Sequence, residues 1–461
     1  MKARAGRLLR LLAPAQSNRA TRRMTLRTGT SPNAPRWSGA ARGAFRFAFV
    51  YAGSYCLTTP QIFLTLRGGG LGHQQEAADA WAKLWSMRPV RKWVAAHVFD
   101  KELGERFDGG DDLNAWVGQF CQLAGAAAAT PIWSLLDRRR TNYETLDSWF
   151  RLVVRFCLAG QMFSYGAAKA IPLQFQVPLT KLVEPFGNFS PMSVLWSQAG
   201  SSKPYQVLLG CAEITGGLLL ILPRTATLGA LLCAMELTQV FILNMTFDVP
   251  VKIHSFHLLL LSLVLLAPES ARLAQAFLSN ETVAPSLRQE LFRTPGANRI
   301  ATAAQVAAGL WLLRAQLRND WTVWKTYGGG REKPELYGIW NVDEFSVDGK
   351  QHAPLTTDEK RWRRVVFDSA DAVTIQRMDD SLDGGYVASV DTESHSMTLL
   401  KMADPKWNAH FTLQRPADDL LTLDGEVDGQ RLRVRLHRMN LATFPLVDRG
   451  FHWVQDNSYM V

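Results

Sequence analysis

Apolar residues run in long stretches up to about residue 317, then alternate with polar ones at a period of two from Tyr337 onward, so the chain reads as two unlike parts. In the first part, seven stretches are candidates to cross a bilayer, which takes about 20 mainly apolar residues. They are Phe47 to Leu66, with Pro60 expected to kink it, Leu113 to Leu136, Trp149 to Ile171, Tyr205 to Leu222, Thr225 to Met245, Lys252 to Ala267 and Ile300 to Leu317. The last has only about fourteen residues free of charge, the lower margin for crossing. Pro223-Arg224 leaves room only for an antiparallel helical hairpin. Residues 67 to 111 mix both charge signs with Trp81, Trp85 and Trp93, which suggests amphipathic helix lying on the membrane surface. From 172 to 204, Pro172, Pro178, Pro185, Pro191 and Pro204 break the chain too often for a regular helix, so a structured loop outside the membrane is expected.

The second part carries about eight short strands at even spacing, among them Arg363 to Phe367, Ala372 to Gln376, Tyr386 to Val390, Ser396 to Leu400, His410 to Gln414, Leu420 to Leu423 and Arg431 to His437. Asp-Gly pairs at Asp348-Gly349, Asp383-Gly384, Asp424-Gly425 and Asp428-Gly429 are expected to turn hairpins. With no long crossover, this pattern predicts an up-and-down antiparallel barrel or a strongly curved sheet. Gly338-Ile-Trp340 before the first strand and Arg438 after the last are similar to the G-x-W and late-strand Arg of lipocalin-like barrels, where the cation lies over the indole. The alternative is a simple core Trp.

The 461 residues carry a formal charge of +10 and a mean hydropathy of -0.06, an average that hides the apolar helices behind the polar strands. Much of the positive excess lies in the first 46 residues, where eleven Lys and Arg meet no acid. Residues 1 to 43 are expected to be a disordered basic tail. Beside an apolar run such a tail is a positive-inside topology signal before it is a nucleic-acid signal, and no nucleic-acid partner is expected. A mitochondrial presequence is the minor alternative. Placing the tail, Arg138 to Arg140, Arg224 and the Arg272, Arg288, Arg293 and Arg299 segment on one side favours seven spans, with the β domain outside the cytoplasm; six would return it inside. Cys56, Cys121, Cys157, Cys211 and Cys233 all fall in apolar runs without a CxxC, so buried thiols are expected rather than a metal site or dithiol relay.

Chemistry concentrates around Asn244 to His257, the polar corner between the fifth and sixth runs. Asp248 and Pro250 suit a helix N-terminus, and Asp248 and Lys252 stand four apart in the favourable order for a helical pair. His254 and His257 share a face, as hydrogen-bonded helix-start residues or as a head-group contact or proton relay. Glu213, within Gly210 to Gly217, and Glu236 are carboxylates inside apolar runs and must face the bundle interior, be protonated or have a partner. Each either locks helix packing or handles a proton or ligand. Lys169, near the end of the third run, either snorkels or faces the protein interior, and with Asp248 and Lys252 it joins the two carboxylates and two histidines as a candidate ligand-binding residue. No nucleotide loop, catalytic triad or zinc motif is present, and no catalytic residue is assigned.

With Tyr165-Gly166-Ala-Ala-Lys169, Ser190-Pro191-Met192, Gly210 to Gly217 with Glu213, Arg224-Thr225 and Asn244 to Lys252 in order, residues 149 to 268 resemble the DoxX family. That resemblance implies a four-helix membrane unit working beside quinones, since the family is linked with a terminal quinol oxidase and thiosulfate:quinone oxidoreduction. Two spans before the unit and a span and β domain after it depart from the family pattern. The expected organisation is a basic tail (1–43), two spans with a surface-helical loop (44–148), the DoxX-like unit (149–268), a linker with the seventh span (269–334) and a lipocalin-like β domain (335–461). Two functions follow, with a third, proton-coupled transport, requiring that Glu213 and Glu236 line a continuous polar path. One is an inner-membrane protein binding a quinone or lipid among helices lined by Glu213, Glu236 and His257, beside a redox partner. The other is a non-enzymatic scaffold displaying a periplasmic binding or sensor barrel.

Overall fold

A computed structural model describes residues 36–69, 87–104, 110–280, 282–283, 290–391 and 394–456. The basic tail through residue 35, Trp81, Trp85 and Arg288 lie outside the described residues. Among the described residues, the helical part contains α1 (Gly39–Thr58), α2 (Pro60–Leu66), α3 (Arg88–Val98), α4 (Leu113–Leu136), α5 (Glu144–Ala170), α6 (Pro191–Ser201), α7 (Lys203–Ile221), α8 (Ala226–Thr246), α9 (Lys252–Leu266), α10 (Ser270–Leu278) and α11 (Pro295–Thr326).

Among the described residues, three helices are long and apolar enough to cross a membrane: α7, α8 and the continuous run from Lys252 to Leu278 that joins α9 to α10 through a 3-10 turn. The other expected crossings all form helices, but with more charge or interruption or, in the uncharged and continuous α4, with Asn114, Gln119, Gln122 and Pro131 lowering the hydropathy. Pro60 breaks the first run rather than bending it, because Thr59 is forced into extended backbone before the ring and α2 restarts with Pro at its first position. The stretch from 172 to 204 is more regular than expected: Pro191 and Pro204 sit in the first turns of α6 and α7, where no amide hydrogen is needed. Three cysteines are buried, but Cys121 is half-buried and Cys211 is exposed on the outer face of α7.

Contacts between helix ends sort the bundle into two poles. At one, the Trp37 amide donates to Thr141, Arg46 Nε donates to the Tyr143 hydroxyl, Arg151 reaches the Leu265 carbonyl and the Trp149 ring meets Phe292. At the other, Gln316 and Asn319 of α11 donate to the carbonyls of Gly69 and Gly68, and Asp111 meets the start of α9. The segment after α5 also belongs to this second pole.

The strands are β1 (Gly338–Val347), β2 (Lys350–Gln351), β3 (Trp362–Phe367), β4 (Ala372–Arg377), β5 (Leu382–Asp391), β6 (Ser396–Lys401), β7 (Asp404–Ala417), β8 (Leu420–Val427) and β9 (Gln430–Arg438). Eight of them follow one another antiparallel, and β9 pairs back onto β1 from Trp340↔Arg438 to Val347↔Leu432, closing the barrel; β2 is a two-residue hairpin arm on β1. Closure removes the sheet edges that would otherwise invite pairing. Asp348-Gly349 and Asp428-Gly429 are turns with both residues at positive φ, as expected. Asp424-Gly425 and Asp383-Gly384 are not turns: they lie inside β8 and β5. Gly425 is needed for another reason, since a Cβ there would collide with the His410 carbonyl across the sheet.

Trp340 is fully buried, its Nε1 donates to the Leu336 carbonyl at 2.8 Å, and Arg438 lies 5.8 Å from the ring centroid. This is the cation-over-indole arrangement that the G-x-W spacing suggests. Gly338 has φ +146°, and a Cβ there would press on the Arg438 side chain at 3.2 Å. The barrel is fastened to the bundle by the segment between α5 and α6. Leu179 packs with Ile339 and Val366, its amide donates to Asp368, and Gln376 of β4 donates to the Val183 carbonyl at 3.0 Å.

Candidate functional site

Two polar centres lie in the bundle and a third lies in the barrel. The first centre depends on glycine. A Cβ on Gly210 would stand 2.5 Å from the Gly166 carbonyl oxygen, and one on Gly166 would stand 2.9 Å from the Gly210 carbonyl oxygen. α5 and α7 therefore cross backbone to backbone. Three residues further along each helix are Lys169 and Glu213, and the crossing sets them face to face: Nζ donates to both carboxylate oxygens at 2.9 and 2.8 Å. Both side chains are buried, and the ammonium also lies 5.6 Å from the Tyr165 ring centroid. On α8, Glu236 reaches toward Gly216 of α7, where a Cβ would meet its Oε2 at 3.3 Å. Both Glu236 oxygens are buried without a hydrogen-bond partner among the described residues.

The second centre joins α9 to α1. Gln161 Nε2 donates to Thr65 and to the Gln61 carbonyl, which leaves its Oε1 as acceptor for His254 Nε2–H at 3.0 Å. His254 Nδ1 then accepts from the Tyr55 hydroxyl at 2.8 Å. His257 Nδ1–H donates to the Ile253 carbonyl, so its Nε2 accepts from Tyr51 at 2.8 Å. The bonding pattern thus assigns one neutral tautomer to each ring. Tyr165, 6.0 Å from the His254 ring, stands between this network and the Lys169 pair.

Asp248 and Lys252 form the expected ion pair at 2.9 Å, but Asp248 is exposed and at φ +52°, outside the helix. The cap of α9 is Asp111 instead, whose two oxygens accept from the Lys252 and Ile253 amides at 2.7 and 2.9 Å. Val251 precedes α9, so Pro250 is not in its first turn. Sequence reasoning missed Asp111, Gln161, Tyr51 and Tyr55; the last two, four apart in an apolar run, are the one readable signal for a polar helix face.

The third centre is a cavity of about 260 Å³ at the end of the barrel away from Trp340. Phe345, Trp362, Ile375, Tyr386, Trp407 and Leu432 form its floor, and Lys360, Arg377 and Lys401 stand at its rim with Glu359 and Asp428. Arg377 bonds Asp383 at 2.9 Å, and the Tyr386 hydroxyl donates to the same carboxylate at 2.6 Å. Burial, and then this bond to a carboxylate, push the Tyr386 hydroxyl up to about 12. Burial opposes the charge on Asp383, yet the Tyr386 hydroxyl and the Arg377 guanidinium hold its pKa below the usual carboxylate value. Lys401 lies over the Tyr386 ring. None of these rim residues stood out in the sequence, because they come from separate hairpins. Among the described residues, no three of His, Cys, Asp and Glu converge as a metal site.

These features describe a helical membrane-type bundle carrying a closed β-barrel. The chain is 30% identical over 128 residues to the uncharacterized protein YwoB of Bacillus subtilis (strain 168), a match covering 28% of this chain and 79% of YwoB. Through that stretch the chain belongs to the same family as YwoB. No family model and no solved structure matches it.

Proposed function

We propose that the chain is a DoxX-like integral membrane protein that crosses seven times and anchors a binding barrel on the face opposite its arginine-rich loops. In a bacterial envelope that is the inner membrane, with the barrel on the periplasmic side. The positive-inside bias supports this arrangement, and so do the two poles of helix-end contacts. The segment after α5 touches the barrel, so the two share a side. α7, α8 and α9 alone would put them on opposite sides; α11 supplies the fourth crossing, and its length of 32 residues suffices.

The observation that carries the functional reading is the barrel cavity. Strand β1 starts at Gly338, beside the bundle contact, and ends at Val347 on the cavity, so the mouth opens away from the helices. Its apolar floor and the two rim lysines that form no ion pair among the described residues, Lys360 and Lys401, suit a small amphiphile with an anionic group, while Arg377 is held by Asp383. The bundle then serves as anchor, and its histidine network is saturated with internal partners. Mass spectrometry of small molecules retained by the purified protein tests this reading: an acidic amphiphile should accompany the wild type and be lost from K360E/K401E. Retention unchanged by those substitutions would refute it.

A second reading rests on Glu236. A carboxylate without partners is costly to bury in its charged form. Beside the Lys169–Glu213 pair it suits a proton-exchanging group next to a quinone or lipid, in contact with a redox partner protein. Quinone retained by the wild type and lost from E236Q would favour this reading over the first.

A further inference from the structure

Arg314 and Arg318 stand one turn apart on the outer face of α11, both exposed and without an acidic partner among the described residues. Their aliphatic stems join Ile171 at the end of α5 and Leu310, Leu313, Leu317 and Trp321 of α11 in lining a shallow, almost wholly apolar groove of about 490 Å³. Arg299 marks the basic pole of the same helix; at about 1.5 Å per residue, Arg314 lies about 22 Å further along and Arg318 about 28 Å. That places both guanidiniums near the far boundary of a hydrocarbon core about 30 Å thick. They stand on the barrel's side, where the positive-inside bias disfavours arginine, so topology does not account for them. Two guanidiniums at (i, i+4) match a phosphodiester, and the apolar walls below match the acyl chains attached to it.

We propose that this groove binds one anionic glycerophospholipid, its phosphate held by Arg314 and Arg318 and its chains laid along Leu310 and Ile171. The depth of the two arginines rests on the membrane reading above; the apolar groove and the two exposed arginines beside it do not. The lipid sits against Ile171, two residues beyond Lys169 and within the segment that leads on to the barrel.

Native mass spectrometry of the full-length protein in detergent tests it, with phosphatidylglycerol and phosphatidylcholine of matched chains supplied in equal amounts. The wild type should retain phosphatidylglycerol about tenfold over phosphatidylcholine, and R314Q/R318Q should lower that ratio to within about twofold. R314K/R318K, which keeps the charge, should retain part of the preference, and R224Q, at the other pole, all of it. Equal retention of the two lipids by the wild type would overturn the proposal, showing that the arginines merely reach for water. So would a preference that survives R314Q/R318Q, or one lost equally in R224Q. Because the measurement is made in micelles, it is independent of whether α11 crosses, which labelling of a single cysteine introduced into the barrel, in a background lacking the native cysteines, decides separately.

Discussion

Gly166 and Gly210 meet so closely that neither position has room for a methyl group, and the Lys169–Glu213 ion pair one turn away exists because of that approach. Separating the helices would separate the charges. G210A is therefore expected to cost at least about 1–3 kcal/mol through overpacking alone, lowering the thermal midpoint of the detergent-purified protein. A midpoint equal to the wild type would show that the crossing is looser than described.

The ion pair itself makes an asymmetric prediction. K169M alone or E213L alone leaves a buried charge without its partner and should destabilise the protein by about 3–5 kcal/mol, whereas K169M/E213L should recover most of that loss. A double-mutant cycle in denaturant measures it. A double variant as unstable as either single one would mean that the pair has a role beyond mutual compensation.

Closed tyrosine chemistry in the barrel gives a pH signature. Tyr386 titrates higher in the fold than in the unfolded chain, so its contribution is complete below about pH 10 and is lost as pH rises toward about 12. Asp383 titrates lower, so its contribution is present above about pH 4 and is lost as pH falls. Near-UV circular dichroism of thermal unfolding should show Y386F without the alkaline loss and D383N without the acid loss. Identical profiles in wild type and variants would contradict the arrangement.

α3 should lie on the membrane surface. It exposes Val90, Trp93 at 58%, Val98 and Phe99, while Arg91 turns in against Gly118 of α4. A nitroxide at W93C, in a background lacking the native cysteines, should report a depth of about 5–10 Å below the headgroups by power-saturation measurements. Full water exposure would show that this face covers protein instead.

Much of this architecture was readable from periodicity. The second run was located at both ends, Leu113 and Leu136, and the strands were found because alternation and β-branched residues report a half-buried sheet directly. What escaped was set by distant partners. Asp248 looked like the cap of the next helix because it is near in sequence, but Asp111, 141 residues from Lys252, takes that place once tertiary packing delivers it. The same holds for Asp424-Gly425, whose turn composition was overridden by a cross-strand need for a residue without a side chain. Glu213 and Glu236 were singled out by their burial cost, but only the fold could show that one bonds a lysine and the other bonds none among the described residues. The barrel cavity was invisible for a related reason: Lys360, Arg377 and Lys401 are ordinary surface cations until closure gathers them at one mouth.

The two functional readings place a ligand in different halves of the chain, and photolabelling separates them. The full-length protein in nanodiscs would be exposed to a medium-chain carboxylate bearing a diazirine, with labelled peptides mapped by mass spectrometry. The account predicts label on barrel peptides containing Trp362, Tyr386 or Trp407, competed by unlabelled decanoate and lost from K360E/K401E. Label confined to α7 and α8 around Glu236, with none in the barrel, would contradict it.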